Sequence, residues 1–320
     1  MGGVDFTLMD VALFEPSAGI VVREPEGRGW GWWAGAPGVL WDEEGGRLYL
    51  YYRLRGPRPQ RGYECRIAES EDGVEYRDIW AARKAEFPTE SMERAALVKV
   101  PGGPYRLYVG LVDADRRWGI DMMEAEHPRL FQVERRVPVL RAGDLGIEAV
   151  KDPWVRWRDG RWWMWCSYAP RPGGAATAEE MHGTGDVYAT GVTKSHTGLA
   201  ASDDGVKWDW KGDALAPGQG WDAYCARLSC MVRGATDWVG FYDGSARVEE
   251  NYEERTGLAR SSEGIAFRSV SVEGPVLVSP EGSGSLRYLD VAEAGDSRFF
   301  YYEYCLADGS HDLRASRLPA

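Results

Sequence analysis

Five short aromatic segments recur along the chain of 320 residues, and this repeat limits the possible folds more than any other feature. Each segment mixes aromatic and apolar residues in the way that β-strands do. Their central residues, separated by 57, 57, 76 and 60 residues, are Tyr51, Tyr108, Trp165, Phe241 and Tyr301. The repeat therefore predicts five equivalent units of roughly 60 residues each.

A second pattern follows the aromatic segment in three of the units. Residues 67–76, 199–208 and 258–267 each combine a strand, an acidic turn whose glycine suits a positive φ, and a strand ending in an aromatic residue. With the preceding hairpin, this makes a unit of four antiparallel strands. Such units cannot bury both faces alone, so we predict an all-β fold, a five-bladed β-propeller. The alternative is a β-sandwich, which the regular spacing of whole four-strand units disfavours.

We predict a single domain over residues 1–320, because a large all-β domain can accommodate a chain of this length. Residues 1–28 precede the first repeat and are expected to supply a strand that closes the ring with the last blade, since closure protects an open sheet edge. The longest step contains a Pro/Gly/Ala-rich insertion at about residues 169–194. We predict a loop there, and loops of this length are usually functional or disordered.

Composition and charge exclude several classes of partner. The formal charge of −12, with 38 Lys and Arg against 50 Asp and Glu, argues against binding to nucleic acid. No segment has the length of a membrane span, and the N-terminus lacks the features of a signal peptide. The five cysteines show no metal-site spacing, which predicts reduced buried thiols, a cytoplasmic protein, and neither metal nor cofactor. The expected partner is a small molecule or an oligosaccharide.

Two segments with the same layout differ in the residue before a proline. Residues 34–52 contain Ala36-Pro37 and residues 150–166 contain Asp152-Pro153, and both continue as a strand, an acidic glycine turn and an aromatic strand. The pattern resembles the five-bladed propeller glycoside hydrolases of the family 43 and family 32 type, over essentially the whole chain as architecture. In those enzymes an Asp-Pro on the innermost strand carries a catalytic carboxylate. The resemblance implies that Asp152 is the transition-state-stabilising or pKa-tuning aspartate.

Two of the three carboxylates that the resemblance implies are absent. Counting back from the aromatic markers gives the innermost-strand positions Ala36-Pro37, Glu93-Arg94, Asp152-Pro153, Ala226-Arg227 and Arg287-Tyr288. Ala36 stands where the family has its base or nucleophile, and no acid lies nearer than Asp222 to the position of the general acid. Because glycosidic cleavage ordinarily needs two carboxyl groups, we predict Glu93 and Asp152 as the catalytic pair, with inversion if the protein is hydrolytic.

Each of these acids also has a structural interpretation. Asp152 can accept hydrogen bonds from backbone amides across the ring, and Glu93 can pair with Arg94 or with a neighbouring blade. Other acids are interpreted as solvated or paired structural groups, because half of all strand residues point outward. These acids are Glu64, Asp243, Asp290 and Glu303.

In the propeller glycoside hydrolases that the chain resembles, the innermost strands line a central funnel. The predicted substrate contacts are arginines and aromatic residues around this funnel. Three arginines indicate an anionic or highly oxygenated ligand, and they are Arg94, Arg227 and Arg287. Aromatic faces can stack on a sugar ring, and the candidates are Trp32, Trp33, Trp154 and Tyr288. His196, at the end of the insertion, is the predicted titratable group over the funnel.

The preferred function is that of a glycoside hydrolase-like enzyme acting on a small glycoside or polar carbohydrate-like substrate in the central funnel. A sugar-binding propeller that has lost the chemistry is one alternative, favoured by the missing acids at positions 36 and 226. A lyase or tailoring enzyme in the same funnel is another, because one fold hosts many functions.

Overall fold

A computed structural model describes residues 11–319, in which twenty β-strands form five blades of four antiparallel strands. The first strand, β1 (Ile20–Arg23), belongs to the last blade. Blade 1 consists of β2 (Trp33–Asp42), β3 (Arg47–Gly56), β4 (Arg61–Ser70) and β5 (Arg77–Arg83). Blade 2 consists of β6 (Met92–Lys99), β7 (Tyr105–Val112), β8 (Trp118–Ala125) and β9 (Val137–Arg141).

The other three blades repeat this order. Blade 3 consists of β10 (Ala149–Arg158), β11 (Arg161–Ala169), β12 (His196–Ser202) and β13 (Asp209–Leu215). Blade 4 consists of β14 (Cys225–Arg233), β15 (Trp238–Ser245), β16 (Arg255–Ser261) and β17 (Arg268–Ser269). Blade 5 consists of β18 (Leu286–Ala294), β19 (Ser297–Cys305), β20 (His311–Pro319) and β1. The five aromatic segments are therefore the second strands of the blades, as predicted.

Helical structure is confined to short segments. The two α-helices are α1 (Ala142–Leu145) and α2 (Ala178–His182). Single 3₁₀ turns span Pro16–Ala18, Pro128–Leu130, Val133–Arg135, Val187–Ala189 and Val248–Glu250. The insertion, predicted as a loop, thus contains α2 and one 3₁₀ turn. A capping box explains where α2 begins, because the Thr177 side chain and the Glu180 side chain each bond the other residue's backbone N–H.

The blades form a closed ring around a central axis. The innermost strand of each blade packs against several strands of the preceding blade, and β2 of blade 1 packs in this way against β18, β19 and β20 of blade 5. β1 pairs antiparallel with β20, so blade 5 takes strands from both ends of the described chain. A single parallel bridge between Trp33 and His311 joins β20 to β2. The edge of β20 is consequently covered by β1.

The hydrophobic core lies between adjacent blades. The second strands are the most buried because a neighbouring blade covers each of their faces, and in β3 every residue after Arg47 is buried. One cluster joins blades 1 and 2, another blades 2 and 3, and a third blades 5 and 1. The largest cluster fills the space among blades 3, 4 and 5. All five cysteines are free and buried within this packing, as predicted.

The three acidic glycine turns have the predicted geometry. Gly73, Gly205 and Gly264 have φ values of 79°, 73° and 67°. The amide of each glycine donates to the hydroxyl of the serine three residues earlier, at 2.9, 2.8 and 2.9 Å. Glycine is therefore required at each turn, since other residues rarely adopt this backbone conformation. Within residues 11–319, no helix is both long and apolar enough to cross a membrane.

Candidate functional site

The innermost strand of every blade is interrupted by a β-bulge or a similar register shift near the propeller axis. Asp152 lies in the interruption of β10 with a φ of 54°, a region that residues other than glycine rarely occupy. Ala36 of β2 and Tyr288 of β18 occupy the corresponding place, with φ values of 51° and 55°. The same backbone geometry thus presents three different side chains at the hub.

The strand pairing corrects the alignment that residue counting produces in blades 4 and 5. Tyr288, rather than Arg287, corresponds to Asp152. Arg227 corresponds to Lys151, which is one residue before Asp152. Counting failed because the hairpins differ in length: the residue paired with the aromatic marker lies 13 positions before it in blade 1 (Gly38 and Tyr51) but 11 positions before it in blades 3, 4 and 5.

Nine charged side chains form a buried network at the level of these interruptions. None is more than 4 % exposed. This central ion network consists of Arg53, Glu93, Lys151, Asp152, Arg227, Asp243, Glu254, Arg287 and Glu303. Because isolated buried charges are strongly disfavoured, each member must be paired.

Asp152 lies at one end of this network. Its Oδ2 atom is 3.2 Å from Nη1 of Arg227 and 3.5 Å from Nζ of Lys151. The backbone N–H of Arg94 is directed at Oδ1, at 3.4 Å. Arg227 also donates to Asp243 Oδ2, at 2.8 Å. Asp152 therefore faces two cations and one backbone amide, and it is completely buried.

Glu93 lies at the other end. Arg287 donates from Nη1 to Glu254 at 2.8 Å and from Nη2 to Glu303 at 2.7 Å. Arg53 then bridges Glu303, at 2.9 Å, and Glu93, at 2.8 Å. Acids and bases thus alternate around the hub from Asp152 to Glu93 and connect blades 1 to 5.

The network holds three of its carboxyl groups, those of Glu93, Glu254 and Glu303, in the ionised form. Burial raises the pKa of Glu93, but nearby charges, that of Arg53 foremost, lower it to about 2. Burial also opposes ionisation of Glu303, yet the charges of Arg287 and Arg53 hold its pKa well below the usual range. For Asp243, burial is the largest effect and raises the pKa. A general acid must be protonated before it reacts, so Glu93 and Glu303 fit proton-accepting roles.

The predicted contacts Tyr288, Arg227 and Arg287 come together at the hub. The ring centre of Tyr288 is 4.2 Å from the Arg227 guanidinium carbon and 5.1 Å from that of Arg287. Arg94, by contrast, donates to backbone carbonyl groups of two other blades, at 2.9 and 2.6 Å. Arg94 therefore links blades, and the other three side chains surround the charged centre.

Aromatic residues lie at the end of the propeller axis where the innermost strands begin. Trp33 stacks on the imidazole of His311, with 4.8 Å between ring centres. The guanidinium carbon of Arg55 lies 4.4 Å from the ring centres of both Trp33 and Tyr252. Trp30 contacts Trp33 edge to face at 5.6 Å and is 54 % exposed. We call these five residues the aromatic mouth.

The insertion in blade 3 reaches the same end of the propeller axis. Asp186 accepts a hydrogen bond from Trp118 Nε1 at 3.2 Å and another from the hydroxyl of Tyr252 in the aromatic mouth. The ring centre of Tyr188 lies 5.1 Å from Nζ of Lys151. The insertion is therefore packed against the mouth and against the central ion network.

Three predicted site residues contact other partners. Trp154 donates from Nε1 to Asp290, at 2.9 Å, and packs in the core among blades 3, 4 and 5. The half-buried indole of Trp32 covers Gly27. It lies so close that a Cβ atom added to Gly27 would be 2.4 Å from the ring. His196 lies on the third strand of blade 3, with Nδ1 3.0 Å from Asp213.

Sequence reasoning missed part of the network. Asp243 and Glu303 were interpreted as solvated or paired structural acids, and Arg53 and Glu254 were not considered. A usable signal exists for three of them, because Arg53, Asp243 and Glu303 each stand two residues after the aromatic marker of their blade. That position pairs with the residue just before the interruption of the innermost strand. Glu254 lies in a connecting segment outside any repeat, so no comparable signal marks it.

No protein-family model matches the chain, and no curated protein matches its sequence. Solved structures do match. A thermostable family-43 glycoside hydrolase superimposes with a TM-score of 0.65 at 15 % identity, over 93 % of this chain and 91 % of the other. The chain has the five-bladed propeller fold of family-43 glycoside hydrolases. The fold predicted from the aromatic repeat is thereby confirmed.

Two further similar structures contain sugars. The GH43_1 enzyme from Xanthomonas citri, complexed with xylotriose, has a TM-score of 0.64 at 14 % identity, over 93 % of this chain and 90 % of the other. The β-1,2-mannobiose phosphorylase from Listeria innocua, complexed with β-1,2-mannobiose, has a TM-score of 0.60 at 14 % identity, over 96 % of both chains. At these identities the likeness to family-43 and related propellers concerns the fold.

Proposed function

We propose that the protein binds a small carbohydrate at the aromatic mouth, directly above Glu93. The observation that carries this proposal is a pair of unsatisfied donors beside that acid. Nε of Arg53 and Nε of Arg55 are both buried and have no hydrogen-bond partner within residues 11–319. Buried donors without partners are rare in folded proteins. A ligand rich in hydroxyl oxygens supplies the missing acceptors.

The chemistry around these donors suits a sugar. Arg53 and Arg55 both face Glu93, whose Oε1 is 3.8 Å from Arg55. The exposed Trp30 offers aromatic surface of the kind that packs on the C–H face of a sugar ring. The structures of similar fold that hold xylotriose and β-1,2-mannobiose support the same ligand class.

Hydrolysis by Asp152 and Glu93 is the second candidate function. The observation in its favour is that Glu93 is ionised at neutral pH, as a general base must be. Against it, the carboxylate of Asp152 is completely buried and its oxygens are already engaged by Arg227, Lys151 and a backbone amide. We therefore rank binding above hydrolysis.

Calorimetric titration with xylotriose and with β-1,2-mannobiose tests the proposal. We expect saturable binding of at least one of them, weakened about tenfold or more in Arg55→Met, which removes the charged donors. Arg47→Met, at the opposite end of the same strand and 39 % exposed, is the control and should bind like the parent. Failure of both sugars to bind, or equal losses in the two variants, would contradict the proposal.

Release of the aglycone from aryl glycosides separates the two candidate functions. Binding without release supports a sugar-binding propeller. Release that falls by orders of magnitude in Asp152→Asn, while binding of the sugar persists, establishes the hydrolase instead.

A further inference from the structure

Three side chains with metal-ligating atoms meet beside the aromatic mouth. Cys305 ends β19, His311 begins β20 directly opposite it, and Glu253 precedes β16 of the neighbouring blade. One ligand atom from each lies within 4.8 Å of the other two. We propose that Cys305, His311 and Glu253 bind a divalent ion of the zinc class, at a site that adjoins the aromatic mouth and shares His311 with it.

The distances between the donor atoms suit a tetrahedral ion. Nε2 of His311 is 3.2 Å from Oε2 of Glu253. Two such ligands, each about 2.0 to 2.2 Å from zinc at a tetrahedral angle, lie roughly 3.3 Å from each other. A set of one sulfur, one nitrogen and one oxygen matches the ligands that zinc accepts, and three protein ligands leave a fourth position for water.

The residues around His311 hold its ring in the orientation that metal binding needs. Nδ1 lies 2.9 Å from Oε1 of Glu303, so the proton on Nδ1 is directed at a carboxylate and Nε2 is left for a metal. The indole of Trp33 stacks on the face of the His311 imidazole and fixes the plane of that ring. A carboxylate behind a ligating histidine is the usual outer-shell arrangement of such sites.

One buried atom of the cluster has an unfilled bond. Oε1 of Glu253 is buried and has no hydrogen-bond partner among the described residues. The Glu253 side chain is 13 % exposed, which gives an ion a route from the mouth. On binding, the thiol proton of Cys305 and the proton that Nε2 of His311 directs at Glu253 are released to solvent, so that Cys305 coordinates as a thiolate and His311 through Nε2.

Cobalt(II) is the probe, because a thiolate bound to it gives a charge-transfer band in the near ultraviolet. The full chain is stripped of metal with a chelator and titrated with Co²⁺. We expect this band, together with the intense visible bands of a tetrahedral site, to saturate at a single equivalent, and Zn²⁺ to displace them. Absence of the charge-transfer band overturns the proposal.

Matched variants identify the ligands. Cys305→Ser should abolish the charge-transfer band, whereas Cys166→Ser, at a buried free cysteine of the corresponding strand in blade 3, should retain it. A second variant, Glu253→Gln, changes the partly exposed ligand and serves if Cys305→Ser does not fold. We expect Glu253→Gln to weaken Co²⁺ binding about tenfold or more. A band that survives Cys305→Ser, or Co²⁺ affinity that is unchanged in Glu253→Gln, would overturn the assignment.

Discussion

At the scale of single residues, the central feature is a set of charges that no solvent screens. Glu93 and Asp152 sit in a network whose members are almost fully buried, so their mutual attraction is stronger than at the surface, while their desolvation is costly. Pairing of this kind adds little net stability but makes the loss of any one partner expensive. The protonation of Glu93 is therefore tied to folding.

Glu93 provides the test of this link. Its pKa is about 2 in the folded protein against an ordinary value of 4.5, so its contribution is fully present above pH 4.5 and is lost as pH falls toward 2. The contribution amounts to about 3 kcal/mol, or at most roughly 1.4 kcal/mol per pH unit. The charges that lower the pKa are those of Arg53, Lys151, Arg55 and Arg287. We predict that Glu93→Gln flattens the fall in unfolding free energy across this window.

Urea unfolding at steps of pH measures the effect. The control is Glu71→Gln, at a side chain that is 76 % exposed, which should follow the parent curve. If Glu93→Gln shows the same acid slope as the parent, the buried ionised state of Glu93 is ruled out.

At the scale of elements, the acidic glycine turns explain how blades 1, 3 and 4 reverse direction toward their outer strands. Gly205 has a φ of 73°, and a Cβ atom there would lie 2.3 Å from Arg106 Nη1 and 2.8 Å from the Tyr108 hydroxyl. We predict that Gly205→Ala lowers the free energy of unfolding by about 1 to 2 kcal/mol or more, through backbone strain and this contact.

The chain offers a matched control for that prediction. Gly274 has no atom within 4 Å of a built Cβ and no positive φ, so Gly274→Ala should be neutral or stabilise by about 0.4 to 1 kcal/mol through the unfolded state. Thermal and urea unfolding of the two variants give the comparison. Equal effects at both positions would mean that the turn conformation does not matter.

At the scale of the whole molecule, stability depends on closing the ring. The segment before β1 packs onto blade 5, where Phe14 lies 5.0 Å from Phe300 and 4.9 Å from Tyr302 between ring centres. We predict that Phe14→Ala costs about 3 kcal/mol or more, because it removes a buried aromatic side chain from this junction. Ile20→Ala, at a residue that is 53 % exposed, should change stability by less than about 0.5 kcal/mol.

Equilibrium unfolding in urea measures both changes. A small effect of Phe14→Ala would show that the blade 5 junction does not limit stability, and that the ring is held by its other interfaces.

The sequence determined the number of blades, the order of strands and the position of the turns, because strand alternation and glycine turns depend on residues that are close in the chain. It also located Asp152 at the hub from the proline that follows it and the aromatic marker, and Glu93 from its distance to the aromatic marker. Sequence counting placed Arg287 at the hub position that Tyr288 takes, because hairpin length differs between blades without leaving a periodic trace.

Only the tertiary structure decided which charges meet. Glu254 joins Arg287, and Glu253 joins Cys305 and His311, across segments that are distant in the chain and adjacent only once the blades close into a ring. The same closure decided between the two interpretations of Asp243 and Glu303, solvated or paired, because it buried both acids against arginines. Ion pairing and metal ligation depend on distances of a few ångströms between blades, and these distances are set by the packing of all five blades around one axis.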